Sequence, residues 1–166
     1  MNNRTRFIIR YIFVVLLGVF LHYAYDLSGG NPIVGLFALV SESVWEHLKL
    51  VFYPMMALTL WDLISNRRNY ATILPARTVG VLSGMAFTIV AFYTVTGIIG
   101  APIAWVNILL YLIAIVVTFR TESLACRRRC LFRVTTAIII LVGLLVLFIV
   151  FTIAPPAIGL FTPMME

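Results

Sequence analysis

Residues 134–153 form the stretch VTTAIIILVGLLVLFIVFTI, which contains no charged side chain. A run of about 20 apolar residues is long enough for a helix to cross the hydrocarbon core of a membrane. Four further apolar stretches precede it, at residues 8–26, 44–64, 78–99 and 103–119. We therefore predict an all-α fold, a bundle of about five transmembrane helices that forms a single domain over residues 1–166.

The composition of the whole chain supports this interpretation. Of its 166 residues, 63% are hydrophobic and 11% are charged, and the mean hydropathy is +1.09. A typical soluble domain is about half apolar and about a quarter charged. Five spans would use most of the chain, which leaves no room for a separate soluble catalytic domain. Any activity is therefore expected within or against the lipid bilayer.

The net charge of +6 comes from arginines that alternate along the chain with uncharged connections. Eleven of the basic residues are arginines, and they lie in three groups: Arg4, Arg6 and Arg10; Arg67, Arg68 and Arg77; and Arg120, Arg127, Arg128, Arg129 and Arg133. The connections at 27–43 and 100–102 and the tail after residue 153 contain no lysine or arginine. The positive-inside rule then predicts a multi-pass protein of the cell (inner) membrane, with a cytoplasmic N-terminus and an outside C-terminus.

The same pattern argues against two other classes of partner. Basic residues that mark cytoplasmic loops are a topology signal, so the positive charge does not indicate nucleic-acid binding. The sequence contains no P-loop and no G-x-G-x-x-G motif, so we expect no nucleotide partner either.

Asp62 lies close to Arg67 and Arg68, with which we expect it to form an ion pair at the inner boundary.

Two local features bear on helix packing. Pro54 lies in the middle of the second span, where it is expected to kink the helix or to free a carbonyl. Ala76, Gly80 and Gly84 form a small-xxx-small series, which favours close packing of the third span against a neighbour.

Most of the remaining ionisable residues gather near the predicted outer end of the first two spans: His22, Asp26, Glu42, Glu46, His47 and Lys49. A spacing of four residues places His22 and Asp26 on one face of a helix, and Glu42 and Glu46 repeat that spacing. Helix bundles build metal sites from histidine and carboxylate ligands that project inward from facing helices.

We predict that His22, Asp26 and Glu46 are the metal ligands and that Glu42 or His47 is the catalytic base. Nitrogen and oxygen ligands suit a divalent metal such as Zn, Mn, Fe or Ni. Other interpretations of the same residues stay open. Ser43 and Glu46 fit a capping box, and Lys49 can pair with Glu46, so the cluster also fits a structural polar network. A proton relay without metal is a third interpretation.

The connection between the first two spans has its own pattern. Residues 28–32, Ser-Gly-Gly-Asn-Pro, favour a turn, and the apolar stretch 33–40 is too short to span a membrane. We predict a short external half-helix here, which would cover the cluster. The proline-broken tail after residue 153 suggests a second flap on the outer face.

These residues also carry a resemblance. The segments HYAYD (22–26), SGGNP (28–32), ESVWEHLK (42–49) and FYP (52–54) resemble the signature of an uncharacterised family of small polytopic bacterial membrane proteins. The resemblance covers roughly residues 20–56, and its Trp-Glu-His-x-Lys core, residues 45–49, is the most specific part. It implies that the cluster is a family feature, but it supplies no activity.

Three functions from different classes remain. The first is a metal-dependent membrane enzyme that acts on a lipid-type substrate. The second is a cation or proton transporter component, which with five spans and no inverted repeat would need a homo-oligomer. The third is an accessory or structural membrane protein whose cluster holds two helices together. The sequence does not decide whether the protein is an enzyme.

Overall fold

The computed structural model describes residues 2–65, 70–127 and 132–163. Its helices are α1 (Asn3–Leu27), α2 (Pro32–Gly35), α3 (Val44–Ser65), α4 (Tyr70–Ile99), α5 (Ala104–Arg127) and α6 (Val134–Ile153). Within these ranges the chain forms no β-strand, which confirms the all-α prediction. All helices except α2 are long and apolar enough to cross a membrane.

Successive long helices run in opposite directions, so the bundle has two distinct ends. At one end, Arg77 near the start of α4 contacts Asp62 near the end of α3 and Glu122 near the end of α5. We call this the Arg77 end. At the other end, His47 in the first turn of α3 lies next to His22 near the end of α1. We call this the His47 end.

Helix α3 is the centre of the bundle. Its Leu48, Val51 and Met55 are buried, and it packs against α1 on one side and α4 on the other. All five long helices expose large apolar side chains, such as Leu16 of α1, Ile64 of α3 and Ile139 of α6. Apolar side chains on the outside of an apolar bundle are expected where lipid is the solvent.

The observed helices are longer than three of the predicted spans. Helix α1 begins at Asn3, α4 begins at Tyr70, and α5 continues to Arg127. The predicted spans end where hydropathy falls, but backbone hydrogen bonding can continue into polar sequence, so the helices extend past those limits. Helix α3 continues through Pro54 without a break. Pro54 has no N–H for the Leu50 carbonyl, and that oxygen faces α1 beside Gly18.

Small residues bring α4 and α5 together, as the small-xxx-small series predicts. A Cβ atom on Gly84 would lie 1.9 Å from Oγ1 of Thr118, and one on Gly80 would lie 2.7 Å from the Thr118 carbonyl oxygen. Both positions therefore require glycine for this close approach.

Asp62 belongs to an ion-pair network at the Arg77 end. The Asp62 carboxylate pairs with Arg10 of α1 and with Arg77, whose Nη2 lies 2.7 Å from Oδ2. Arg67 and Arg68, the predicted partners, lie outside the described residues. Arg77 was expected in a loop, but α4 begins seven residues before it, so its fully buried side chain lies inside the bundle.

The connection between α1 and α3 differs from the predicted half-helix. Only residues Pro32–Gly35 are helical, a single turn, and residues 36–43 form a folded loop. Side chains of α3 hold this loop. The Tyr53 hydroxyl donates to the Leu36 carbonyl (2.8 Å), and the Lys49 ammonium donates to the carbonyls of Gly35 (3.0 Å) and Ala38 (3.2 Å).

Candidate metal centre

The first turn of α3 directs consecutive side chains toward different neighbours, because each residue turns the helix by about 100°. Trp45 faces the C-terminal tail. Its ring centroid lies 4.9 Å from that of Phe161, and its backbone N–H donates to the Leu160 carbonyl at 3.0 Å. The tail thus packs on the start of α3, beside the aromatic side chains of α6.

Glu46 and Lys49 form a buried ion pair. Oε2 of Glu46 lies 2.7 Å from the Lys49 ammonium and also accepts the Val40 N–H at 2.9 Å. With its two bonds to loop carbonyls, Lys49 uses all three of its donor hydrogens. These contacts of Glu46 match the structural polar network, which is one of the alternatives that the sequence leaves open.

Capping of α3 follows only half of the predicted capping box. The Ser43 hydroxyl accepts the Glu46 N–H at 3.3 Å, as an N-cap side chain does. The Glu46 carboxylate does not return to Ser43; it turns to Val40 and Lys49.

Asp26 lies apart from the other acidic residues of the predicted site. It is exposed in the last turn of α1, and its carboxylate has no ion pair or hydrogen bond to the part of the chain that the structure describes. Gly29 and Gly30 follow with positive φ angles of 70° and 79°, so the chain turns away directly after this helix. The structure therefore does not bring Asp26 and Glu46 together with His22.

Three other residues of the predicted site do converge. His22 of α1, Glu42 of the loop before α3 and His47 of α3 each offer a ligand atom, and these atoms all lie within 4.8 Å of one another. We call them the His–Glu–His triad. Nε2 of His47 lies 3.4 Å from Oε2 of Glu42, and Nε2 of His22 lies 3.8 Å from Oε1. Glu42 thus lies between the two imidazoles.

A backbone contact orients His47. Its Nδ1 lies 2.9 Å from the Ser43 carbonyl, which can only accept a hydrogen bond, so Nδ1 carries a proton, and in the neutral ring Nε2 then has a free lone pair. Histidine ligands of metals are commonly held in this way, by a hydrogen bond from the second ring nitrogen to a carbonyl. Nδ1 of His22 is buried and has no hydrogen-bond partner among the described residues.

A cleft of about 410 Å³ opens beside the triad. Its walls come from α1, α3 and α5, and its lining residues are Gly18, Val19, His22, Tyr23, Glu42, His47, Leu50, Pro102, Ala104, Asn107, Ile108 and Tyr111. A small cavity of about 40 Å³ shares His47 and Asn107 with the cleft and reaches Thr88 and Phe92 of α4. The triad therefore faces a space large enough for a small ligand.

The fold and the triad together define a class: a helical protein with five helices apolar enough for a membrane and a His/Glu group beside a cleft. The chain belongs to DUF6512, a family of unknown function whose model matches residues 1–166. This match confirms the resemblance to an uncharacterised family and extends it from residues 20–56 to the whole chain. No curated protein and no solved structure matches the chain.

Sequence reasoning missed the walls of the cleft. Gly18 and Tyr111 lie within apolar stretches and carry no feature that distinguishes them from other helix residues. Asn107 is the one amide in its span and is therefore visible in the sequence as a polar residue within the membrane, but the sequence does not connect it with the His/Glu cluster.

Proposed function

We propose that this protein is a membrane enzyme that binds a divalent metal at His22, Glu42 and His47 and acts on a lipid-type substrate. The observation that carries the proposal is the triad itself: three ligand atoms within 4.8 Å of one another, at the edge of a cleft. Two histidines with one glutamate are the protein ligands of several catalytic zinc sites, where the fourth position is left for water or substrate.

The distances within the triad support a metal site over a hydrogen-bonded network. Ligand atoms about 2 Å from a tetrahedral ion are about 3.4 Å apart. Nε2 of His47 lies 3.4 Å from Oε2 of Glu42 and Nε2 of His22 lies 3.8 Å from Oε1, and one ligand atom from each residue lies within 4.8 Å of the others, so side-chain movements would have to draw the ligands together around an ion. Neither pair makes a well-formed hydrogen bond, which would need about 2.7–3.2 Å.

A metal held there would supply Lewis acidity, which polarises a carbonyl or a bound water molecule. The chain's own residues would orient the reacting group. The Ser43 carbonyl fixes the His47 ring, and the loop held by Lys49 carries Glu42 toward the two histidines. Because Glu42 and His47 serve as ligands in this proposal, neither would be free to act as the predicted catalytic base.

The charges of the bundle support the membrane orientation that the sequence predicts. The Arg77 end carries the exposed arginines Arg4, Arg6, Arg120, Arg127 and Arg133. At the His47 end, the only Lys or Arg among the described residues is Lys49, which is buried in its pair with Glu46. With the positive-inside rule, this asymmetry supports a cytoplasmic Arg77 end in the inner membrane and a triad near the outer face.

Elemental analysis of the detergent-purified protein, produced without a metal-binding tag, tests the proposal. We expect near-stoichiometric Zn, Mn, Fe or Ni in the natural protein and its loss in His47→Ala and His22→Ala. The metal-containing protein would then be assayed for hydrolysis of outer-leaflet lipids. Metal-free natural protein, with variants that only lose thermal stability, would contradict the proposal and favour a structural network.

A further inference from the structure

Helices α1 and α5 are held together below the cleft. The Tyr111 hydroxyl lies 3.3 Å from the Val14 carbonyl and 3.4 Å from the Val15 carbonyl, to which it donates. Nearer the Arg77 end, the Tyr11 hydroxyl donates to the Leu112 carbonyl at 3.2 Å. These contacts bind the tyrosine of each helix to the backbone of the other.

Gly18 permits the closest contact. A Cβ atom at this position would lie 1.9 Å from the Tyr111 hydroxyl oxygen, so a glycine is required where the tyrosine crosses α1. We call this contact the Gly18–Tyr111 crossing. Both residues line the cleft, and Gly18 lies one helical turn from His22 toward the Arg77 end, so the crossing lies on the side of the cleft away from the triad.

Between the crossing and the triad, the cleft changes from apolar to polar. Val19, Leu50 and Ile108 line it near the crossing, and His22, Glu42 and His47 line the other end. Ala104 and Tyr111 both line the cleft and are about 10 Å apart along the axis of α5, at about 1.5 Å per residue. The cleft therefore has the polarity of an amphiphile with its polar group at the triad, and its length is about two thirds of the roughly 15 Å that the chains of one leaflet span.

The cleft also opens sideways. Val19 and Ile108 line it, yet they are 45% and 62% exposed, so its α1 and α5 walls reach the outer surface of the bundle. In a bilayer, that surface faces lipid tails. A transmembrane helix is about 10 Å wide, which is too bulky for a recess of 410 Å³ that is itself about 10 Å long. A single flexible hydrocarbon chain fits these dimensions.

We infer that the cleft binds the head-proximal segment of one acyl chain of a membrane lipid, which enters between α1 and α5 and reaches the Gly18–Tyr111 crossing. The oxygen-bearing head of the chain lies toward the triad. Asn107, whose side chain has no partner among the described residues, offers it an amide from the α5 wall. The inference deepens the proposed function and rests on it for the chemistry at the polar end, whereas the chain site itself requires no metal.

A photoreactive fatty acid whose diazirine lies about 10 Å from its carboxyl group, the distance from the triad to the crossing, is a direct probe of this site. The full-length protein is reconstituted in vesicles that contain the probe, irradiated, and mapped by mass spectrometry, both metal-loaded and after chelation. We expect adducts concentrated on the cleft walls of α1 and α5 near the crossing. Labelling spread evenly over the lipid-facing residues of all helices would overturn the inference.

Ile108 and Leu109 provide a matched pair of variants. They are neighbours on α5 and both are exposed, but only Ile108 lines the cleft. Ile108→Trp would fill the recess, and we expect adducts near the crossing to fall about tenfold, as when burial of about two methylene groups is lost. Leu109→Trp should label as the natural protein does. Equal labelling in both variants would overturn the inference.

This design tests the metal site and the acyl-chain site independently. Metal content is measured on the same samples, and thermal unfolding shows that each variant is folded. Labelling at the crossing in a protein that binds no metal would uphold the chain site and contradict the proposed enzyme. Bound metal with no labelling at the crossing would overturn the inference and leave the metal site standing.

Discussion

Arg77 and Asp62 form a buried ion pair in which Nη2 of the arginine lies 2.7 Å from Oδ2 of the aspartate. The same Arg77 atom lies 3.0 Å from Oε1 of Glu122, while Nη1 donates to the Thr59 hydroxyl and the Met55 carbonyl, both at 3.2 Å. One guanidinium therefore links α3, α4 and α5, and Asp62 extends the network to α1 through Arg10. These contacts therefore fix how the four helices are rotated relative to one another.

The two ends of the bundle thus have different polar clusters. At the Arg77 end, two arginines and two carboxylates neutralise one another and are largely enclosed. At the His47 end, the triad consists of two imidazoles and one carboxylate, and one side of it is open to the cleft. The first arrangement pairs its charges without a ligand, although Nε of Arg77 and Oε2 of Glu122 have no hydrogen-bond partner among the described residues, whereas the second contains no arginine or lysine. This contrast is why we assign structure to one cluster and function to the other.

Replacement of Arg77 should destabilise the bundle strongly. Arg77→Ala would leave Asp62 and Glu122 with one fewer positive charge in a buried environment, and removing one partner of a buried pair costs about 3–5 kcal/mol. Thermal unfolding in detergent measures the loss. Arg120→Ala, which removes an exposed arginine of α5, is the matched control and should change stability little. Equal stability of the two variants would show that the network does not stabilise the fold.

The Glu46–Lys49 pair should be coupled in a double-mutant cycle. Glu46→Gln alone leaves a buried ammonium with too little negative charge, and Lys49→Met alone leaves a buried carboxylate. The double variant removes both charges, so we expect it to be more stable than the sum of the single effects predicts, by about 1–3 kcal/mol. Thermal unfolding of the four proteins gives the coupling. Strict additivity would mean that the two side chains do not interact in the folded protein.

Helix positions could be predicted from the sequence because hydropathy alone marks long apolar helices. The limits of α3 and α6 lie within one residue of the predicted spans. The pair of Asp62 with Arg77 could not be predicted, since it depends on how α3 and α4 are rotated against each other. The sequence alone favours Arg67 and Arg68, the chain neighbours of Asp62, and that pairing stays a prediction because both lie outside the described residues.

The membership of the candidate site was harder to predict for a similar reason. The spacing of four residues predicts that Glu42 and Glu46 share one face of a helix. In the structure α3 begins at Val44, so Glu42 lies in a loop and shares no helix face with Glu46. Spacing also joined Asp26 to His22, yet α1 ends at Leu27, and its last turn leaves Asp26 exposed. Local periodicity identified the residues that gather near this end, whereas the loop geometry determines which of them meet.

Gly18→Ala should disturb the contact between α1 and α5. Its Cβ would lie 1.9 Å from the Tyr111 hydroxyl oxygen and 3.0 Å from the Leu50 carbonyl oxygen, so the tyrosine must move. Overpacking of this kind typically costs about 1–3 kcal/mol. Gly143→Ala in α6 is the matched control, because nothing lies within 4 Å of its added Cβ. There we expect a gain of up to about 1 kcal/mol from helix propensity.

Thermal unfolding compares the two glycine variants, and Tyr111→Phe provides a second check. This change removes the hydroxyl that meets the new methyl group, so Gly18→Ala should cost less in the Tyr111→Phe background than in the natural protein. The same cost in both backgrounds would contradict the contact between Gly18 and Tyr111.

Two carboxylate-to-amide changes separate the observed triad from the ligand set expected from the sequence. Glu42→Gln removes a charged oxygen ligand and should lower metal content well below that of the natural protein, because an amide oxygen is a weak ligand for a transition metal. Asp26→Asn alters an exposed carboxylate outside the triad and should leave metal content unchanged. Elemental analysis of both proteins, purified in parallel, gives the answer. Loss of metal in Asp26→Asn with retention in Glu42→Gln would favour His22, Asp26 and Glu46 as ligands and would mean that the site rearranges when the ion binds.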